Sequence, residues 1–275
     1  MFKLRLLSTV VLVPLVIAGI LLLPGMYIAI GSALVFAVAV WEWLQMTVLK
    51  DSKLIRFLLL ISLFAVAYSL LATGFSPNWL YFLSIVWWGV ALFGVCYYPR
   101  GTELWRDFLF QPLIGLIMFV PAWLAFNSLH AKLVYGPQLV LLGCVLIWGS
   151  DIGAYCFGRL WGKSKLAPHV SPGKTWAGFY GALFTGSLVM IIYYISFKPS
   201  FGFWGGICLA LITVLFAVIG DLVESMLKRI YGFKDSGNLI PGHGGMYDRI
   251  DSMLAAFPIY YLGLQILQNS SIIAI

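Results

Sequence analysis

Residues 201–229 read FGFWGGICLALITVLFAVIGDLVESMLKR: twenty residues without a charge, then four charges within nine. A helix needs about 20 apolar residues to cross the hydrocarbon of a bilayer, and an uncharged run of that length reads as a span rather than a soluble core helix. Beyond it, Asp221, Glu224 and Lys228 follow at spacings of three and four. A helix continuing past the apolar run would carry them on one polar face at the membrane boundary. The stretch therefore predicts a fold built in a bilayer, with its polar chemistry at a helix end.

Outward from this run, the same ruler finds eight more candidate spans. They are roughly Leu6–Leu23, Met26–Met46, Leu54–Thr73, Trp79–Tyr98, Phe108–Leu129, Leu139–Gly158, Trp176–Phe197 and Met253–Ile273, beside Phe201–Leu222. The expected fold is all-α: a polytopic integral membrane protein of about nine transmembrane helices. Composition agrees, with 62% hydrophobic and 10% charged residues among 275 and a mean hydropathy of +0.98. Soluble domains carry about 45–50% and about 25%. No polar stretch is long enough for a separate soluble domain, so residues 1–275 read as a single membrane domain. The spans within 1–130 are mainly scaffold, and 139–275 holds the polar motifs. Lys3 and Arg5 before the first span resemble a secretory signal, but without an A-x-A cleavage site it reads as an uncleaved first helix. Cys96, Cys144, Cys156 and Cys208 lie in apolar runs without C-x-x-C spacing and read as small buried hydrophobes.

Lys and Arg accumulate on the cytoplasmic side of membrane proteins. With the N-terminus inside, nine spans place Lys3, Arg5, Lys50, Lys53, Arg56, Arg100, Arg106, Arg159, Lys163, Lys165, Lys174, Lys228, Arg229, Lys234 and Arg249 in the cytoplasm, and leave Lys132 and Lys198 outside. The C-terminus then lies on the opposite side. The basic residues form no continuous run, which speaks against a nucleic-acid partner despite a net charge of +7.

Carboxylates inside a span are costly, so Asp151 in the sixth span reads either as functional or as a helix–helix hydrogen bond or an ion pair with Arg159. Glu42, between Trp41 and Trp43, has a weaker functional claim and reads first as the partner of a base. Ser171-Pro172-Gly173-Lys174-Thr175 opens the seventh span with backbone N–H groups, hydroxyls and a Lys where a helix begins, a setting that suits phosphate or a plain helix cap. The last loop, 223–252, alternates acid, base and glycine. Asp248 and Asp251 repeat the spacing of three at the next helix start, and an all-oxygen carboxylate set suits Mg²⁺. His243 stands without a Cys or second His, which argues against zinc, and Gly242–Gly245 allow close backbone approach to an anion.

These residues closely resemble the bacterial CDP-diacylglycerol synthases, or phosphatidate cytidylyltransferases. The likeness rests on Ser225-x-x-Lys228-Arg229, Lys234-Asp235-x-Gly237 and Pro241-x-His243-Gly244-Gly245-x-x-Asp248-Arg249-x-Asp251. It extends through Trp148-Gly149-x-Asp151-x-Gly153-Ala154-Tyr155 and Ser171–Thr175, and more diffusely to Trp41-Glu42-Trp43, with no departure at a charged motif position. The resemblance implies transfer of a cytidylyl group from CTP to phosphatidic acid, a Mg²⁺-dependent site facing the cytoplasm with a second cation left open, a multi-pass protein of the cell inner (plasma) membrane, and a homodimer. It implies Asp221 and Asp248 as principal metal ligands, with Asp251 and Glu224 beside them. Lys174, Lys228, Arg229, Lys234 and His243 would meet the phosphates, and Asp151, Ser171, Ser225, Gly244, Gly245 and Arg249 would line the substrates. Lys174 and Lys228 join Asp221, Asp248 and Asp251 as catalytic residues. A CTP-dependent polyprenol kinase and, less favoured, a cation or lipid transporter are the competing readings.

The orientation is tested by fusing a reporter active only outside the cytoplasm to the C-terminus. Activity is expected there, and none when the fusion follows Lys234; the reverse pattern would overturn the assigned orientation.

Overall fold

A computed structural model describes residues 2–47, 49–73, 78–106, 110–133, 135–237 and 244–273. Its elements run α1 (Phe2–Leu22), α2 (Gly25–Met46), α3 (Lys53–Ala72), α4 (Asn78–Tyr97), α5 (Thr102–Arg106), α6 (Phe110–Lys132), α7 (Gly136–Trp161), β1 (Lys165–Ala167), β2 (Ser171–Thr175), α8 (Trp176–Phe197), α9 (Phe203–Tyr231) and α10 (Tyr247–Ile273). Among the described residues, eight helices are long and apolar enough to cross a membrane, α2–α4 and α6–α10, and α1 adds a shorter apolar run, Val10–Leu22. The all-α reading therefore holds. Two small features were not expected: the five-residue helix α5, and an antiparallel hairpin pairing Lys165 with Thr175 and Ala167 with Ser171.

Helix ends differ from expectation where it matters for chemistry. Helix α9 continues nine residues past Leu222, and α10 begins six residues before Met253. Half of the polar stretch read as loop 223–252 is thus helical. Helix α9 stops in a Schellman turn: Gly232 takes φ +79°, Phe233 N–H donates to Lys228 O at 2.8 Å and Gly232 N–H to Arg229 O at 3.2 Å.

The helices divide into two compact units. The first comprises Met1–Pro77, Arg100–Leu141 and Leu227–Asp251. Here α6 is the buried element, packed against α2, α3 and α5. Trp43 lies against Gly115, where a Cβ would come within 2.6 Å of the indole, and meets Phe119 at a tilted 55°. Polar groups are paired locally, as hydrocarbon requires. Trp123 Nε1 and Asn127 Nδ2 donate to Ser32 Oγ at 3.1 and 3.2 Å. Helix α5 closes the end of α9: Arg106 donates to Ile230 O at 2.6 Å, and Tyr231 Oη to Trp105 O at 2.6 Å.

The second unit comprises Asn78–Pro99, Leu142–Met226 and Ser252–Ile275. Its α7 and α8 meet through glycines. A Cβ on Gly153 would fall 2.0 Å from Thr185 Oγ1 and 2.7 Å from Gly181 O, and one on Gly181 would fall 2.5 Å from Phe157 Cβ. Small residues let two backbones approach closely, which is how helices associate where water supplies no hydrophobic drive. Of the four cysteines, only Cys144 is buried; Cys96, Cys156 and Cys208 are exposed, and all four are free. That corrects the expectation of burial, because an apolar side chain on a membrane helix can face lipid instead of a core.

Adding one methyl at the glycine contact should be costly. Gly153→Ala is expected to destabilise the protein by about 1–3 kcal/mol, read as a lower thermal midpoint in detergent. Gly89→Ala, whose Cβ meets nothing within 4 Å, should leave that midpoint unchanged.

Candidate functional site

In the second unit a cleft of about 330 Å³ opens between α7, the hairpin, α8 and α9. Asp151 and Arg159 line it from α7, Lys174 from β2 and Asp221 from α9. Asp151 is exposed on its helix, and Arg159 donates to Tyr155 Oη at 3.0 Å. The hairpin sets Lys174 in place: Trp176 N–H donates to Ser164 O at 3.1 Å, closing the strand pair onto α8. Thr175 is the N-cap of α8, its Oγ1 accepting from Gly178 N–H at 3.1 Å. Of the motif read as a phosphate cradle or a cap, its threonine is the cap.

Lys174 Nζ lies 2.5 Å from Asp221 Oδ2, an ion pair only partly open to solvent. One turn on, Glu224 is buried, and ligand oxygens of Asp221 and Glu224 come within 4.8 Å of each other. Two carboxylates that close favour a cation between them. Ser225 beside them is half-buried, and Ser171 is half-buried at the start of β2.

In the first unit the organising group is Asp248, in the first turn of α10. Its Oδ1 accepts from Lys228 Nζ at 2.8 Å and its Oδ2 from Ser236 N–H and Gly245 N–H at 3.0 and 2.9 Å. Lys228 reaches it from the last turn of α9. Each charge also sits at the helix end whose dipole favours it. The bond back to Gly245 is one half of a capping box.

The glycines read as room for an anion do admit close approach, but to the protein's own carboxylates. Gly244 has φ +81° and a Cβ there would fall 2.6 Å from Asp248 Oδ2; one on Gly245 would fall 2.4 Å from Glu42 Oε2. Glu42 is buried and accepts at Oε2 from Ser236 Oγ at 3.1 Å and Tyr247 N–H at 2.9 Å. The base expected as its partner is thus replaced by a hydroxyl and a backbone amide, which can satisfy a carboxylate as well. Arg229, Lys234 and Arg249 are exposed, and Asp251 is half-buried one turn after Asp248. His243 lies outside the described residues. Ser236 was not singled out by sequence reading, since one serine in a polar loop carries no signal until its partners are known.

Long apolar helices carrying paired acids and bases define a multi-pass membrane protein. The chain matches the model of the cytidylyltransferase family over residues 3–267, so it belongs to that family and is a nucleotidyltransferase. It is 39% identical to a phosphatidate cytidylyltransferase of Haemophilus influenzae, across 94% of this chain and 97% of that one. It is 36% identical to one of Pseudomonas aeruginosa, across 94% and 96%, and 34% identical to one of Bacillus subtilis, across 93% of each.

Removing one partner of a buried charge pair strands the other. Asp248→Asn is expected to lower stability in detergent by about 2–4 kcal/mol. Adding Lys228→Met should recover part of that loss, and a double variant as unstable as the sum would show the pair uncoupled.

Proposed function

We propose that the chain is a phosphatidate cytidylyltransferase: CTP and phosphatidic acid give CDP-diacylglycerol and pyrophosphate. The observation that carries this reading is near full-length similarity, at 34 to 39% identity, to relatives bearing that name. The clusters of acid, base and glycine at the ends of apolar helices supply a physical rationale, because one substrate is a lipid and the other a soluble polyanion.

A non-bridging oxygen of the phosphatidate monoester attacks the α-phosphorus of CTP in line. The bond from that phosphorus to the β-phosphate oxygen breaks, and pyrophosphate departs with the electron pair. The attacking oxygen is already anionic, so no general base is required. The barrier is electrostatic, and the chain's task is to bring two polyanions together and hold them aligned. Lys174, Lys228, Arg229, Lys234, His243 and Arg249 meet the phosphates, while Ser171, Ser225, Gly244, Gly245 and Asp151 shape the substrate positions. Asp221, Glu224, Asp248 and Asp251 would hold Mg²⁺, a hard cation that prefers carboxylate oxygens. When bound, Mg²⁺ neutralises negative charge developing on the leaving pyrophosphate. The same reading puts the protein in the cell inner membrane as a homodimer, its site facing the cytoplasm, where CTP is.

Purified protein in mixed micelles with phosphatidic acid, Mg²⁺ and CTP labelled at the α-phosphorus should transfer label to lipid, and a chelator should stop it. Absence of lipid label beside an active control would overturn the activity. Asp221→Asn should raise the Mg²⁺ concentration needed for half-maximal rate.

A further inference from the structure

Glu42 stands far from the polar motifs in sequence, 194 residues before Ser236 and 205 before Tyr247, yet its carboxylate touches both. It is the one charged residue of α2 and is buried at 6% exposure. The backbone is shaped to admit it. A Cβ on Gly237 would lie 2.5 Å from Glu42 Oε1, its three nearest atoms all belonging to Glu42; one on Gly245 would lie 2.1 Å from Ser236 Oγ and 2.4 Å from Glu42 Oε2. Segments 235–237 and 244–248 therefore meet on this side chain.

What they hold there is Asp248. Ser236 N–H and Gly245 N–H both donate to it, and Ser236 Oγ, the donor to Glu42, also accepts from Asp248 N–H at 3.4 Å. A path of direct contacts thus runs from Glu42 through Ser236 to Asp248 and its Lys228. Tyr247, whose N–H Glu42 fixes, is fully buried and packs on Phe119, so the first turn of α10 has little freedom once that bond forms.

We propose that Glu42 is a positioning residue for the cytidylyl transfer: it seats the two glycine-bearing segments so that Asp248 and Lys228 are held in reacting geometry. The proposal rests on the activity assigned above. Glu42 acts through Ser236 and Tyr247 and need touch neither substrate. A displacement of about 1 Å at a reacting group costs up to about a hundredfold in rate, so the effect falls on kcat more than on KM for CTP.

Five variants test it, Glu42→Asp alone among them, each assayed well below its own thermal midpoint. Glu42→Ala should lower kcat roughly 10- to 100-fold with KM for CTP within about threefold. Glu42→Gln should keep most of kcat, because an amide oxygen can accept from both Ser236 Oγ and Tyr247 N–H. Gly237→Ala, whose new methyl presses first on Glu42, should reproduce the kcat loss with Glu42 intact. Joined to Glu42→Asp, which withdraws the carboxylate by one methylene, it should cost less than the product of the two single losses. Independently of activity, amide exchange at Ser236 and Gly245 should quicken in Glu42→Ala. Full kcat with unchanged exchange in Glu42→Ala, or losses that simply multiply in the double variant, would overturn the proposal. Faster exchange in a protein whose wild type labels no lipid would overturn the assigned activity and leave the contact path standing.

Discussion

A carboxylate in a chain dissolved mainly in hydrocarbon must be met by donors within reach, because leaving it bare costs several kcal/mol. Asp248 meets that demand with an ammonium and two backbone N–H groups, and Glu42 with a hydroxyl and a backbone N–H. Asp221 is met by Lys174. Each solution fixes local backbone: the turn around Ser236, the start of α10, the hairpin that carries Lys174. The polar architecture follows from satisfying these acids, and the apolar helices supply the frame in which they stand.

Glycine takes two roles in that frame. On α7 and α8, Gly153 and Gly181 remove side chains so that helices can pack without water to drive them together. At Gly237, Gly244 and Gly245 the missing side chain leaves room for a carboxylate oxygen against the backbone. The reasons differ: the first is dispersion between neighbouring backbones, and the second is charge compensation by amide dipoles.

The helical spans were legible because hydrocarbon imposes a length and an absence of charge that any window detects, and residues 201–220 illustrate it. The polar face of Asp221, Glu224 and Lys228 was legible from spacing alone. The ends of α9 and α10 were not, since hydropathy marks where hydrocarbon stops and says nothing about where helical hydrogen bonding stops. The hairpin escaped because strands of three and five residues, one holding Pro172 and Gly173, show no alternation. Glu42 was visible as an anomaly between two tryptophans, but a pairing across 194 residues leaves no trace in local pattern. Lys174 was read as a phosphate ligand, and in the structure its partner is the carboxylate of Asp221, a pairing across 47 residues that local pattern does not reveal.

The length of α9 carries a consequence of its own. At about 1.5 Å per residue, 29 residues extend about 43 Å, well beyond the ~30 Å of hydrocarbon. Measured along the helix from Phe203, Asp221 stands about 27 Å up and Lys228 about 37 Å. That interval straddles the edge of a ~30 Å hydrocarbon layer, where the headgroups begin. The helix is thus a ruler with its charged marks at headgroup height, so a diacyl lipid can present its headgroup there while its tails stay dissolved. The molecule then spends no work on extracting hydrocarbon into water, a cost of about 0.8 kcal/mol for every methylene lifted.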